Sequence, residues 1–182
     1  AGLAGFCIGA SLAFVAAADP RIADEVSFIN FFGGYYNAVD LMAQVSSKQR
    51  FYENTIEHWA PSSLSRKVFR DHLIALVPHT QERELLQRTF VGGDDIADEE
   101  RDSLSHTGGV VYRLIEGVEL EEARSLLQEL PEEAHTILDS VSPSEVAGEV
   151  RAKVLVMADR EDTMVQSVDS RLLATTFCPI DL

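Results

Sequence analysis

The chain has 182 residues, of which 46% are hydrophobic and 25% are charged, a composition typical of a folded domain with a sizeable core. It carries 15 basic and 30 acidic residues, and its formal net charge of −15 argues against nucleic acid or an anionic membrane surface as a partner. Two cysteines, Cys7 and Cys178, do not make a disulfide framework, so we expect a reducing, cytoplasmic location. No Cys/His cluster has metal-ligand spacing, and we expect neither a metal nor a cofactor.

The N-terminal region predicts a strand, a helix and a second strand. Residues 1–6 are typical of the end of a buried strand, and residues 8–18 of a helix that ends before Pro20. The β-rich run over residues 25–32 predicts the next strand. This order implies a parallel sheet with a right-handed crossover. We expect the helix to pack on the sheet through three apolar residues: Leu12, Val15 and Ala16.

The first turn carries the motif G-x-C-x-G at residues 5–9. This is the cysteine form of a nucleophile elbow, in which a sharp strand-to-helix turn exposes the nucleophile. Cys7 would be the nucleophile, and the N–H of Ile8 would be half of an oxyanion hole. We expect glycine at positions 5 and 9 because a Cβ there would clash in so tight a turn. The helix N-terminus should also lower the pKa of the Cys7 thiol.

Two other interpretations of this region stay open. Cys7 can be a buried structural cysteine in an apolar segment. Residues 1–18 are uncharged and end in three alanines that resemble a small-residue cleavage site, so they can also form a targeting segment. The absence of a basic region and of a starting Met argues against targeting, and we expect the chain to be an internal part of a longer protein.

Residues 37–149 are predicted to be mostly helical and carry most of the acidic charge. Residues 46–63, which include the single Trp59, are less regular. Thr80 is expected to cap a helix, and Ser142 and Glu145 to form a capping box with Pro143 at the first helical position. The other predicted helices are 38–45, 64–77, 94–103, 110–115, 120–130 and 132–141.

The pattern returns to a buried strand at residues 152–158, followed by a polar turn that contains Asp162 and a helix over residues 167–176. Ligand sites in parallel α/β sheets lie at the C-terminal ends of the strands. Both Cys7 and Asp162 are predicted at such ends, which makes them candidate partners in one site. The alternative for Asp162 is a loop carboxylate that caps the next helix.

The order of these parts resembles an α/β-hydrolase: nucleophile elbow, helix, strand, helical cap insertion, strand, acidic residue and helix. Residues 154–165 resemble the family's strand followed by G-x-x-D-x-x-V-P, with Asp162 at the acid position and Val165 at the valine. Asp159 replaces the usual glycine and Gln166 the usual proline. A cysteine nucleophile resembles the dienelactone-hydrolase branch, although that branch lacks so long an insertion.

The resemblance implies an α/β fold: part of an α/β-hydrolase parallel sheet with a mostly helical insertion. Residues 1–36 and 150–182 would be the hydrolase core, and residues 37–149 the helical cap. Cys7 would attack a small-molecule ester, lactone or related acyl substrate, and Asp162 would orient a histidine. In the family the catalytic histidine follows the acid, but every histidine of this chain precedes Asp162. These are His58, His72, His79, His106 and His135. We therefore expect the catalytic histidine and the second oxyanion donor to lie outside the chain.

Two further hypotheses stay open. The chain can be a non-catalytic α/β-hydrolase-like protein whose helical region binds a partner. The hypothesis that the glycine-rich turn binds a nucleotide is weaker, because the chain has no G-x-G-x-x-G motif and no basic residue near the turn. Three aromatic residues after the second strand would flank the acyl site or pack beneath the insertion: Phe32, Tyr35 and Tyr36. The elbow hypothesis also predicts that Cys7 alkylates faster than Cys178.

Overall fold

The computed structural model describes residues 1–52 and 55–177. The chain divides into two compact units. The first comprises Ala1–Leu41, Arg50–Glu57 and Thr136–Leu182, and the second comprises Met42–Gln49 and His58–His135. In the described part of the chain, no helix combines the length and the apolar character needed to cross a membrane.

The described elements alternate strands and helices at the two ends of the chain and are mostly helical between them. The strands are β1 (Gly2–Phe6), β2 (Phe28–Phe32), β3 (Gln49–Tyr52), β4 (Thr55–His58) and β5 (Lys153–Met157). The helices are α1 (Ile8–Ala17), α2 (Ala38–Ser47), α3 (Ser63–Leu76), α4 (Thr80–Gln87), α5 (Asp98–Asp102), α6 (His106–Glu116), α7 (Leu120–Gln128), α8 (Glu132–Ser140), α9 (Pro143–Val146) and α10 (Ser167–Phe177).

The sheet of the first unit is three-stranded and parallel, in the order β1-β2-β5. Gly2 lies opposite Phe28, and Phe28 lies opposite Lys153, so the three C-terminal ends are aligned. The predicted α/β class with a parallel sheet is confirmed. Because β5 pairs with β2 across more than a hundred residues of intervening chain, the two ends of the sequence build one sheet.

Helix α1 packs on this sheet through a different face from the one predicted. Its buried residues are Ala10, Ser11, Phe14 and Ala17, whereas Leu12 is 45% exposed and Ala16 is exposed. The prediction was wrong because almost every residue of the helix is apolar or small, so periodicity does not distinguish its faces. Phe14 instead meets Phe31 of β2 edge to face, with ring centroids 6.1 Å apart.

One face of the sheet forms the core of the first unit, and the other face is solvent-exposed. Ile29 and Phe31 are fully buried and share a cluster with Phe14 and Leu173. Burying each such side chain stabilises the fold by about 2 kcal/mol. On the opposite face Phe6 is 71% exposed and Leu155 is 55% exposed. An exposed apolar sheet face of this kind is typical of an interaction surface or an aggregation risk.

Residues 46–63 are more regular than the sequence suggests, because β3 and β4 pair as a two-stranded sheet. These strands escape prediction since they mix apolar and polar side chains over only four residues each. Arg50 of β3 and Glu57 of β4 form an ion pair with an N–O distance of 3.0 Å.

Two predicted helix caps are wrong. Thr80 is the first residue of α4 and not its cap, and its hydroxyl accepts a bond from Arg83 instead. Ser142 precedes α9 without a side-chain capping bond, because its hydroxyl accepts from the backbone of Ala38 and donates to Leu138. Pro143 does occupy the first turn as predicted.

The second unit is helical. Helices α3, α4 and α6 contact one another, and α6 also contacts α7. The acidic helix predicted over residues 94–103 is only the five residues of α5, whereas α6 is longer than predicted because Ser105 caps it by accepting from the N–H of Gly108. The largest fully buried side chains of these helices are Leu73, Leu86, Val111, Leu114 and Leu127.

Candidate active site

Cys7 occupies the single-residue turn between β1 and α1. Its φ of 53° and ψ of −132° lie in a region that non-glycine residues rarely adopt. Its N–H donates to the Phe32 carbonyl at 2.8 Å, and its carbonyl accepts from the Ala10 N–H at 2.9 Å. The backbone on both sides is thus fixed by a neighbouring strand and by the first turn of the helix. Strain held in this way is a feature of functional turns.

Gly5 is required by this turn, but Gly9 is not. A Cβ built on Gly5 would lie 2.2 Å from the Gly9 carbonyl oxygen and 2.5 Å from the Ala10 backbone nitrogen. A Cβ on Gly9 would meet nothing within 4 Å. The expected clash at Gly9 is therefore wrong: the close approach involves its backbone oxygen, which any residue would supply.

The Cys7 thiol is half-buried, and its pKa is raised rather than lowered. The largest cause is burial, which disfavours the thiolate; a hydrogen bond from the Ile8 backbone N–H acts in the opposite direction, and the nearby negative charge of Asp162 raises the pKa further. The predicted lowering by the helix N-terminus is wrong, because desolvation outweighs the single N–H that reaches the sulfur. A neutral thiol of this kind needs a general base to become a nucleophile.

Tyr35 is the aromatic residue associated with Cys7. The two residues pack in one cluster with Ala38 and Val165. The hydroxyl of Tyr35 donates to the Val141 carbonyl at 3.0 Å, and burial together with the charge of a Cys7 thiolate raises the pKa of Tyr35 to about 12. Tyr35 is therefore a neutral packing residue beside the thiol at physiological pH.

Asp162 lies in the loop after β5. Its Oδ1 accepts bonds from the backbone N–H groups of Met164 at 2.7 Å and Val165 at 3.3 Å. Its Oδ2 lies against Gly33, where an added Cβ would be 3.0 Å away. Gly33 has a φ of 57° and donates to the Met157 carbonyl at 2.7 Å. One carboxylate oxygen is thus held by the backbone N–H groups of its own turn, and the other lies close to the end of β2.

Cys7 and Asp162 line the same cavity at the C-terminal edge of the sheet, with a volume of about 600 Å³. Four large apolar side chains line it: Phe6, Phe32, Met157 and Met164. Asp159 and Arg160 add one charge of each sign. Phe6 and Met164 are neighbours of the two predicted site residues, but nothing in the sequence indicates that they line the cavity.

Within the described part of the chain, none of the histidines lines this cavity. The described residues also include no group of three or more His, Cys, Asp or Glu side chains that could hold a metal ion. The arrangement therefore consists of a thiol on a strained turn, one backbone N–H directed at it, and a fixed carboxylate. Cys178 lies outside the described residues.

No protein-family model matches the chain, and no curated protein matches it. An acetylester hydrolase from Corynebacterium glutamicum, solved in a trigonal crystal form, is similar in structure with a TM-score of 0.33 and 15% sequence identity. The match covers 96% of this chain and 50% of that one, so this chain spans about half the length of the hydrolase.

Proposed function

We propose that this chain is the nucleophile-bearing part of an α/β-hydrolase that acts on an ester, a lactone or a related acyl substrate through Cys7. The observation that carries the proposal is the strained, glycine-dependent turn that presents Cys7 at the edge of a parallel sheet, beside a cavity shared with Asp162. In this proposal residues 1–36 and 150–182 belong to the hydrolase core and residues 37–149 to the helical cap.

The proposed chemistry is acyl transfer to sulfur. The Cys7 sulfur attacks the acyl carbonyl carbon, and the oxyanion that forms is stabilised by the Ile8 N–H. The alcohol leaves with the proton that the thiol gave up, and water then cleaves the thioester to give a carboxylic acid and the free thiol. The apolar wall of Phe6, Phe32 and Met164 suits the hydrocarbon part of such a substrate.

A base must take the thiol proton, and Asp162 would orient it. The raised pKa of Cys7 makes this base essential near neutral pH. Because no histidine of the described chain lines the cavity, we expect this chain alone to form the thioester slowly and to hydrolyse it more slowly still.

The test is acylation by p-nitrophenyl acetate in mildly alkaline buffer, followed by peptide mass spectrometry. The wild-type chain should acquire an acetyl group on Cys7 and release about one equivalent of nitrophenolate without turnover. Adding imidazole as a replacement base should then produce turnover that Cys7→Ala, treated identically, does not show. Cys7→Ser should still acquire the acetyl group, because the same turn presents a hydroxyl, but more slowly than wild type.

A folded chain whose Cys7 resists acylation, while its lysines react, would contradict the proposal. That result would favour the alternative function, a non-catalytic α/β-hydrolase-like protein whose helical region binds a partner. Circular dichroism on each variant establishes that the fold is retained.

A further inference from the structure

A second cavity lies entirely within the helical second unit and has an unusual charge pattern. Its volume is about 360 Å³, and four of its lining residues are cations: Lys48, Arg66, Lys67 and Arg70. Within the described part of the chain, its lining contains no carboxylate. Acidic residues outnumber basic ones 30 to 15 in this protein, so the convergence of four cations on one cavity runs against the overall composition.

Helix α3 supplies most of this positive charge from one face. Ser63, Arg66, Lys67 and Arg70 are spaced at i, i+3, i+4 and i+7, which places them on one side of the helix over two turns. The first turn of α3 contains no acidic residue, although carboxylates are favoured there. The positive end of the helix dipole therefore adds to the side-chain charges.

The cations differ in how far they are already paired. Arg70 is fixed: it donates to the Phe90 carbonyl at 3.0 Å and to Asp71 through two nitrogens at 3.0 and 3.1 Å. The Lys67 Nζ donates to Oδ2 of the same Asp71 at 2.5 Å. Two of its three ammonium hydrogens are left for another acceptor. Asp71, whose pKa these neighbours lower, thus neutralises only part of the cluster.

The side chains of Lys48 and Arg66 have no carboxylate or other hydrogen-bond partner among the described residues of the chain. Lys48 directly follows α2 and has a φ of 54°, and its carbonyl accepts from the Trp59 N–H at 2.7 Å. Its backbone is therefore held in place beside the cavity. Like charges brought together in this way repel one another, and a bound anion would relieve that repulsion.

Apolar side chains form a second part of the wall. Val45, Phe69, Phe90 and Ile115 contribute hydrocarbon surface. The ends of α2 and α6 are joined behind it, where the Ser46 hydroxyl donates to the Leu114 carbonyl at 2.7 Å. A cavity with several cationic donors and an apolar wall is complementary to an anion that carries a hydrocarbon group.

A neighbouring cavity of the same unit provides the contrast. It has a volume of about 450 Å³ and is lined by Asp71 and Arg88, one charge of each sign, among other residues. An excess of positive charge is thus a property of the cavity at α3 and not of this helical unit in general.

We propose that the cavity lined by Lys48, Arg66, Lys67 and Arg70 is a binding site for a small amphipathic oxyanion, a carboxylate or phosphate ester with a short hydrocarbon chain. Arg66 and Lys48 hold the oxygens, Lys67 adds a third cation, and Arg70 maintains the wall. This inference does not depend on the acyl chemistry proposed for Cys7, since it involves different residues in a different unit of the chain.

The test is calorimetric titration of the full chain with hexyl phosphate and with hexanoate. Fluorescence of Trp59, the single tryptophan, serves as a second readout. Inorganic phosphate and hexanol separate the contributions of charge and hydrocarbon, and we expect the amphipathic anions to bind more tightly than either. Arg66→Gln and Lys48→Gln should each weaken binding about tenfold, as for the loss of a charge-assisted hydrogen bond at a partly exposed site.

Arg151→Gln is the matched control, because it removes one exposed arginine and one positive charge from the other unit. It should change the affinity less than twofold. A wild-type chain that binds neither anion, hexanol that binds as tightly as hexyl phosphate, or Arg66→Gln that binds like wild type would each overturn the proposal. The melting temperature of unliganded Arg66→Gln should equal or exceed that of wild type; a clear decrease would mean that the cations serve the fold instead.

Discussion

At the scale of single residues, Cys7 shows that burial can outweigh a helix N-terminus. The turn gives the sulfur one backbone N–H, from Ile8, yet half of the side chain is withdrawn from water and the carboxylate of Asp162 is close enough to oppose ionisation. Desolvation of a thiolate is the larger effect, so the pKa rises. The position of Cys7 on a turn follows from the motif, but its burial depends on Tyr35 and Val165, which are distant in sequence.

We predict that Asp162→Asn lowers the pKa of Cys7, because it removes the negative charge and keeps an oxygen for the Met164 N–H. The measurement is the pH dependence of iodoacetamide labelling at Cys7 in a Cys178→Ser background. In the wild type, labelling at neutral pH should be slower than for free cysteine and should rise only above the usual thiol range. Asp159→Asn, in the same cavity, should leave the profile unchanged; an equal shift in both variants would contradict the assigned cause.

The raised pKa of Cys7 determines the direction in which the stability of the fold changes with pH. The folded thiol holds its proton to higher pH than the unfolded thiol, so its contribution to folding is fully present below the pKa of the unfolded thiol. It is lost as the pH rises through the folded value. Replacing Cys7 by Ser should therefore flatten the loss of stability on the alkaline side, and a profile identical to wild type would argue against a buried thiol.

Alanine substitutions at the two glycines of the motif, Gly5 and Gly9, make a matched pair of variants. Gly5→Ala should destabilise the chain by about 3 kcal/mol, because its Cβ meets backbone atoms that cannot move without breaking the turn. Gly9→Ala places its methyl group in open space within a helix and should be neutral or stabilising by up to about 1 kcal/mol. Chemical denaturation of both variants measures the difference. Equal destabilisation would show that Gly9 also has a steric role.

At the scale of elements, the sequence predicts those helices and strands that have a distinctive local pattern. Strands β1 and β5 and helices α3 and α10 lie within one or two residues of their predicted bounds, because apolar runs and glycine or proline breaks mark them. Strands β3 and β4 were missed, since their pairing, not their composition, makes them strands. The buried face of α1 was also missed, because a helix of alanines and other apolar residues buries whichever face the sheet presents to it.

In the candidate site, too, some features follow from local sequence patterns and others depend on tertiary packing. That Cys7 and Asp162 would lie at one edge of a parallel sheet could be predicted, because strand ends align and the chain order is simple. The depth of Cys7 and the four apolar residues around the cavity depend on tertiary packing, which no local pattern encodes. The cationic cavity at α3 illustrates this further: the spacing of Arg66 and Arg70 is visible in the sequence, but Lys48 joins them only in the fold.

At the scale of the whole molecule, the dominant property is a net charge of −15. Its surface ion pairs are mostly exposed; Arg151 and Asp24, for example, are 70% and 77% exposed, so such pairs contribute little to stability. Repulsion among the unbalanced carboxylates destabilises the compact state at low ionic strength. Salt shortens the Debye length to about 10 Å at 0.1 M and should relieve that repulsion.

We therefore predict that the melting temperature rises with NaCl concentration between low salt and about 0.5 M. Relief of about 1 kcal/mol corresponds to roughly 2–4 °C for a chain of this size. The matched variant is Glu84→Gln with Asp95→Asn, two exposed acidic positions without an ion pair among the described residues. It should melt at a higher temperature than wild type in low salt and respond less to NaCl. Calorimetric scans in which salt lowers both melting temperatures equally would show that ion pairs, and not net repulsion, dominate the electrostatics of this protein.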